Sequence, residues 1–500
     1  MITPAASVLL SRGPGSRDIL SILRGAHLRF FGGFWAFPGG KLGPEDEDPT
    51  LETTHQHLRA RRIAACRELF EETGILIARR RDDSFPDPSP DLDRCRQALL
   101  EGSLRFPLML AERELTVRDD DFPLIGEITT PAFAPLRYAT TFFTAHAPPN
   151  QSIDIWPGEL ERGEWVAIDE MLARWRRGEV WLTPPTAMTL QRLGDQPIDA
   201  APELLGPVLE RLAQGAEHPI FFAPSVQMLP LKTVALAPGT HTNAFFVGAG
   251  PRYLIDPGAD DPAEQARLFS VIDEQRQAGQ TLTAILLTHH HRDHVGAALA
   301  CAERYKLPIF AHAVTAENLR GKVPIALHLA EGDRLDLGLC PADGGRWTLN
   351  VMHTPGHASG HLVFADSFYG LLFVGDMVST LSSIVIAPPD GDLTMYLQSL
   401  RRLRETPARM LLPAHGTVST KPGHVLDAAL EHRAKREQQL LDTLADGPAA
   451  IVELAERMYR GTPEALMRFA EAQVLAGLLK LQGEGRARQV ENERWRRGPV

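Results

Sequence analysis

The chain has 500 residues, enough at roughly 100–200 residues per domain for about three domains. Its hydrophobic content of 44% and charged content of 23% are those of an ordinary globular protein. A formal net charge of −11 argues against a whole-surface attraction to nucleic acid or anionic membrane, leaving only a local basic groove for such partners.

Cys66, Cys95, Cys301 and Cys340 lie far apart and form no CxxC pair. They read as reduced thiols, not as a disulfide framework or a zinc ribbon. The opening "MITPAASVLLSRGPG" has no basic stretch followed by a long apolar core, and no apolar run reaches a membrane span. A soluble, cytoplasmic protein without a membrane partner is expected. There is no internal repeat.

The first segment mixes strands ("ASVLLS", "ATTFFTAHA") with helices, and the Pro- and Asp-rich residues 82–93 read as a loop. Two strings carry chemistry, "FWAFPGGKLGPE" and "RELFEETGIL". In the second, Glu68, Glu71 and Glu72 fall at i, i+3 and i+4, on one face of a helix. Three like charges together are unfavourable unless cations occupy them, and hard oxygen donors suit Mg²⁺ or Mn²⁺, which pair with diphosphate oxygens. Arg67 is placed to anchor a neighbouring carboxylate, and Gly39 and Gly40 permit a turn that other residues resist.

These strings resemble the two ends of the Nudix box, over roughly residues 3–200. The resemblance implies an α/β/α sandwich that hydrolyses a nucleoside diphosphate linked to another group. It makes Glu71 and Glu72 metal ligands, and Glu68 a ligand or the catalytic base. The Gly39 carbonyl and either Glu159 or Glu161 are expected to complete the set. One departure stands out: 21 residues separate Glu45 from Arg67 where the usual box has seven. A CoA-diphosphatase-like branch of the family carries an insertion there, and "FWAFPGGKL" and "PPTAMTLQRL" are similar to that branch.

Residues 201–229 read as a linker, and 214–240 as a connector with short strands. Strand and helix then alternate: "RYLIDPG", a helix near 262–278, "TAILLT", a helix near 294–305, and "LPIFAH". This suggests layered α/β packing. "THHHRDHVG" follows the second of these strands and places four histidines and an aspartate in six positions. Alternate residues of an extended chain point the same way, so His289 and His291 share a face, with Asp293 and His294 following as the chain turns. Imidazoles and a carboxylate suit a metal such as Zn²⁺. Further candidates stand at other strand ends: Asp256 in "YLIDPG", His357 in "MHTPGHASGH", Asp376 in "GLLFVGDMV" and His415 in "MLLPAHG".

HxHxDH followed by HTPGH, GD and PAHG resembles the metallo-β-lactamase superfamily, over roughly residues 230–425. The resemblance implies an αββα sandwich holding two metals. His289, His291 and His357 would hold one, Asp293, His294 and His415 the other, and Asp376 would bridge them. Asp256 matches a structural aspartate, whereas His353 and His361 match no ligand position and are expected behind the ligands or at the surface. Two divalent ions lower the pKa of bound water towards neutrality, so a metal-bound hydroxide is the expected nucleophile, oriented by Asp293 as a catalytic residue.

After residue 423 the chain turns helical, with about three helical patterns, a Gly-Glu-Gly turn and a hairpin of "RARQV" and "ERWRR". "APGTHTNAFFVG", "HRAKREQQLL" and "LLKLQGEGRA" resemble the beta-lactamase-like protein 2 family. There the C-terminal segment, here 426–500, is a winged helix, and the animal member is an endoribonuclease on single-stranded RNA. Residues 431–500 hold 12 Lys+Arg and 11 Asp+Glu, so any affinity for RNA must come from the hairpin, where Arg and Trp can pair with phosphates or stack on bases. The expected function is a dinuclear hydrolase of an RNA-like phosphodiester fused to a Nudix diphosphatase. The alternative is a glyoxalase-II-like thioesterase whose Nudix module acts on CoA derivatives or only binds nucleotide.

Overall fold

Strand Thr3–Ser11 sends successive side chains to opposite sides of its sheet, and each side has its own core. Val8 and Leu10 pack with Ile63, Leu69 and Phe70 of helix Arg59–Thr73. Leu9 packs instead with Leu172 and Leu190 of helices Ile168–Arg176 and Pro184–Leu193. The strand path is Trp35–Ala36, Asp18–Arg24, Thr3–Ser11, Tyr138–His146, Leu124–Thr129, with Gly39–Lys41 and Leu160–Ala167 pairing alongside. Helices on both faces make the expected α/β/α sandwich. The computed structural model describes residues 2–28, 31–47, 58–134, 136–235, 238–491 and 493–498. The centre of the insertion before Arg67, residues 48–57, lies outside them.

The chain divides into two compact units, Met1–Gln227 and Met228–Val500. The stretch 201–229 carries helix Ala201–Ala213, whose Leu205 and Leu209 sit in the core of the first unit. Its prolines, Pro202 and Pro207, disguise the apolar period in the sequence.

The second unit has two sheets. The first runs in the order Leu327–Leu329, Ile309–His312, Leu282–Leu286, Arg252–Ile255, His241–Val247, Val226–Lys232. Its first four strands pair in parallel and therefore need crossovers. Helices Pro262–Gln277 and Ala298–Tyr305 supply apolar cover through Leu268, Ile272 and Cys301, packed on Phe246, Leu254 and Ile285. The second sheet runs Arg334–Leu339, Arg346–His353, Leu362–Asp366, Leu371–Gly375, Met410–Pro413. Tyr396, Leu400 and Leu403 of helix Leu393–Glu405 cover it, with Leu426 of helix Pro422–Ala445. Phe245 and Phe373 meet edge to face across the two sheets, with ring centroids 5.2 Å apart. This is the αββα sandwich.

One expected helix is broken. The stretch near 294–305 divides into Arg292–Val295 and Ala298–Tyr305. The Ala297 amide donates to the Pro257 carbonyl at 2.8 Å, so it is lost to the helical ladder.

Helices Pro422–Ala445, Ile451–Met458 and Glu464–Gly483 and the antiparallel strands Ala487–Gln489 and Trp495–Arg497 close the chain. Trp495 is only 3% exposed and packs with Leu454, Leu478 and Leu481, so it belongs to this module's core and offers no stacking face to a base. All four cysteines are buried and free. Among the described residues, no helix is long and apolar enough to cross a membrane.

Candidate metal centre

The C-terminal ends of five strands converge. Strand Leu282–Leu286 runs into His289–His294, and the strands ending at Ile255, His353, Gly375 and Pro413 lead to Asp256, His357, Asp376 and His415. Nε2 of His289 lies 2.9 Å from Nδ1 of His291, which lies 3.0 Å from Nε2 of His357. Next to this trio, His415 Nε2 is 3.3 Å from Asp293 Oδ2, and His294 Nε2 is 3.9 Å from the same oxygen. Asp376 stands between the groups. Its Oδ2 is 3.5 Å from His357 Nε2, while its Oδ1 is 3.3 Å from His415 Nε2 and 3.6 Å from His294 Nε2.

The outward nitrogens of these rings are held in place. His357 Nδ1 donates to the Val385 carbonyl at 2.8 Å, and His415 Nδ1 to the His241 carbonyl at 2.9 Å. His294 Nδ1 donates to Asp256 Oδ2 at 2.8 Å. Each bond fixes the ring orientation and turns Nε2 inward. Asp256 also accepts from the Thr288 amide and hydroxyl, at 2.8 and 2.6 Å, and Thr288 Oγ1 contacts His289 Nδ1 at 3.0 Å. Gly258 lets the loop after Asp256 approach this close: a Cβ there would sit 1.7 Å from the Asp293 carbonyl oxygen.

Electrostatics divide the site. Burial lowers His289 far below the ordinary histidine value, brings His291 down to about 3 and lowers His357, each helped by neighbouring imidazoles, so the trio is neutral. Burial would lower His294 and His415 too, but facing carboxylates outweigh it. They raise His294 well above its usual range and His415 to about 10. Burial likewise works to raise Asp376, and His415 and His294 overcome it, holding Asp376 well below its usual range.

The donors fit divalent metal ions. His289–His291–His357, Asp293–His294–His415 and His289–His294–Asp376 each bring three ligand atoms within 4.8 Å of one another. His294 Nε2 and Asp376 Oδ1 are buried and make no hydrogen bond. Buried polar atoms without partners are costly unless something else satisfies them. A partly exposed group, His290–His291–Asp390, meets the same distance limit and shares His291. His361, at no ligand position, lies behind Asp376: its Nε2 accepts the Asp376 amide at 3.1 Å, and its Nδ1 contacts Thr354 Oγ1 at 2.9 Å. His353 stacks on His312 with centroids 4.2 Å apart.

In the first unit Glu68, Glu71 and Glu72 fall on helix Arg59–Thr73. Arg67 does anchor carboxylates: it grips Asp46 through Nε and Nη2, each at 2.9 Å, and reaches Glu68 and Glu71 at 3.0 Å. Asp46, inside the insertion, is fully buried and carries no sequence signal of its own. Glu72 Oε2 accepts the Gly39 amide at 2.8 Å, and Gly39, at φ 149°, lies so close to Ala6 that a Cβ would meet its carbonyl oxygen at 2.2 Å. Burial raises Glu72 well above its usual value and Glu68 to about 7. Glu159 adds its charge to Glu72, whereas Glu161 accepts the Ala26 amide at 2.6 Å. Among the described residues, no three of these Nudix side chains gather ligand atoms within 4.8 Å, since Arg67 holds Glu68 and Glu71.

An αββα sandwich that gathers imidazoles and carboxylates at its strand ends has the donor set of a metal-dependent enzyme. Residues 237–415 match the metallo-beta-lactamase superfamily, and the chain belongs to it. Residues 45–193 match the NUDT19 Nudix domain and residues 451–495 the beta-lactamase associated winged helix domain. The protein is therefore a metallo-β-lactamase-fold hydrolase fused to a Nudix domain, and both families generally bind divalent metals. It is 32% identical over 261 residues to the Beta-lactamase-like protein 2 homolog of Drosophila melanogaster, covering 49% of this chain and 84% of that one. It is 32% identical over 185 residues to a hydroxyacylglutathione hydrolase of Cereibacter sphaeroides, covering 33% of this chain and 68% of the relative. The crystal structure of a beta-lactamase domain protein from Burkholderia ambifaria shares the fold, with TM-score 0.50 and 21% identity over 57% of this chain and 94% of that one.

Proposed function

We propose that the second unit is a dinuclear hydrolase of phosphodiesters in single-stranded, RNA-like substrates, and that the first is a Nudix diphosphatase cleaving nucleoside diphosphates linked to another group. The domain limits are 1–200 for the Nudix-like domain, 201–229 for the connecting stretch, whose helix Ala201–Ala213 packs into the first unit, 230–425 for the metallo-β-lactamase domain and 426–500 for the winged helix. His289, His291 and His357 would hold one zinc-type ion and Asp293, His294 and His415 a second, with the Asp376 carboxylate available to both groups. Glu71 and Glu72 hold Mg²⁺ or Mn²⁺, with Glu68 as ligand or base. The cytoplasm is the proposed compartment, in keeping with the four free cysteines.

The observation that carries the reading is the placement of Asp376, whose two oxygens face separate ligand groups. Divalent ions bound there supply Lewis acidity, which brings the pKa of water from about 15.7 towards neutrality. Asp293 orients the attacking water. Asp256 and the His241 and Val385 carbonyls keep the ligand rings turned inward.

The hairpin supports a polyanionic substrate. Arg488 pairs across the strands with Arg496, and Arg497 stands beside it, all three exposed. Among the described residues none of them forms an ion pair. Like charges directly opposite each other are unfavourable, and phosphates would relieve them. A second reading, hydrolysis of acyl-thioesters including CoA derivatives, is favoured by the hydroxyacylglutathione hydrolase relative.

One panel separates these readings: purified protein on single-stranded RNA, S-acyl-glutathione, acyl-CoA and nucleoside diphosphates carrying a second group. RNA cleavage is expected, lost in His291→Ala and kept in a Glu71→Gln/Glu72→Gln variant. Diphosphate cleavage is expected to show the reverse pattern. Thioester hydrolysis without RNA cleavage would overturn the first reading in favour of the second. Absence of diphosphate cleavage in the parent protein would leave the Nudix unit as a nucleotide-binding module.

A further inference from the structure

The stretch "HRAKREQQLL" in helix Pro422–Ala445 buries a charge that the proposed chemistry does not use. Arg433 is only 7% exposed. Among the described residues it forms no salt bridge, and a buried cation is costly unless its donors are satisfied. Its Nη2 donates to the Ile384 carbonyl and its Nη1 to Gln473 Oε1 at 3.2 Å. Gln473, in helix Glu464–Gly483, donates to the same Ile384 carbonyl at 2.9 Å. Two helices from the C-terminal part of the chain therefore hold one peptide of the loop after Asp376.

That peptide stands directly behind a ligand. The next carbonyl, of Val385, accepts His357 Nδ1 at 2.8 Å. The Arg433 guanidinium also lies over the Tyr396 ring at 5.1 Å, and the Tyr396 hydroxyl donates to the Met377 carbonyl, adjacent to Asp376, at 2.7 Å. The Tyr396 main chain also lies close to the residue before His357: a Cβ on Gly356 would meet the Tyr396 Cα at 2.2 Å. Arg433 is thus in contact with the supports of two ligands, His357 and Asp376.

We propose that Arg433, assisted by Gln473, is a positioning residue that fixes the Ile384–Val385 peptide and so sets how tightly the His289–His291–His357 group binds its cation. The inference rests on the reading of His357 as a ligand. It gives the C-terminal helices a role in the metal site. Partners that orient ligands in this way typically change metal affinity about 10–100-fold when removed.

The test uses the full chain and Zn²⁺ or Co²⁺ alone. Affinity is read by competition with a chromogenic chelator, the ligand field from the visible spectrum of the Co²⁺ form, and folding from thermal unfolding. Arg433→Met keeps the volume and removes the donors. It is expected to bind one of its two ions about 10–100-fold more weakly, with an altered Co²⁺ spectrum and an unfolding profile that keeps the parent's transitions. Arg433→Lys should recover part of the affinity. Gln473→Leu removes one of the two hydrogen bonds on Ile384 and should fall between the parent and Arg433→Met. If Arg433→Met does not fold, Gln473→Leu decides by the same readings. A folded variant with unchanged affinity for both ions and an unchanged spectrum would overturn the inference and leave the metal site standing. A parent protein that binds no ion would instead overturn the metal site itself.

Discussion

Replacing Asp376 with alanine is expected to lower hydrolysis by the second unit about 10³-fold or more, the scale of losing electrostatic stabilisation at a reacting centre. The change removes a side chain whose two oxygens face both ligand groups, at 3.5 Å from His357 and 3.3 Å from His415. It also removes a carboxylate that helps raise His294 and His415 above the ordinary histidine range. The variant should retain at most one tightly bound ion. Steady-state rates on the best substrate of the panel, read together with the bound metal, check this. Full activity in a folded Asp376→Ala protein would rule out a shared carboxylate.

Asp256→Ala is expected to have the largest effect on stability. The Asp256 carboxylate is 1% exposed and takes three hydrogen bonds, from the Thr288 amide, the Thr288 hydroxyl and His294. Removing one partner of a buried, hydrogen-bonded ion pair costs roughly 3–5 kcal/mol. Thermal unfolding of the metal-free protein should show that loss, and metal affinity should drop a further 10-fold to about 100-fold. Asp256→Asn keeps the shape and still accepts from Thr288, but its amide offers a donor where His294 needs an acceptor. It should therefore recover stability better than metal affinity. Equal recovery of both would mean that Asp256 acts only by filling space.

The ligands were legible because they are concentrated in short strings. His289 to His294 run from the end of one strand into the short helix Arg292–Val295, and His357, Asp376 and His415 each follow an apolar strand that announces itself by composition. The αββα and α/β/α layers were legible for the same reason, since buried strands alternate with helices of recognisable period. What supports the ligands was not legible. The acceptors for His357 and His415 are main-chain carbonyls, of Val385 and His241, and any residue type supplies a carbonyl. Asp46 is one acid among several in an insertion, and only the fold brings it to Arg67. Helix Ala201–Ala213 was hidden by its prolines, and the break before Ala298 by a tertiary hydrogen bond from Ala297 to Pro257. Trp495 beside three arginines suggested a stacking surface, yet the strand register turns it into the core and leaves the arginines outside.

Metal content per chain, measured on the parent protein and on Asp376→Ala in a Glu71→Gln/Glu72→Gln background that silences the Nudix carboxylates, tests the account most directly. Two zinc-type ions per chain are expected in the parent and no more than one in the alanine variant. A folded, active parent that carries no metal, or an alanine variant that keeps both ions, would contradict it.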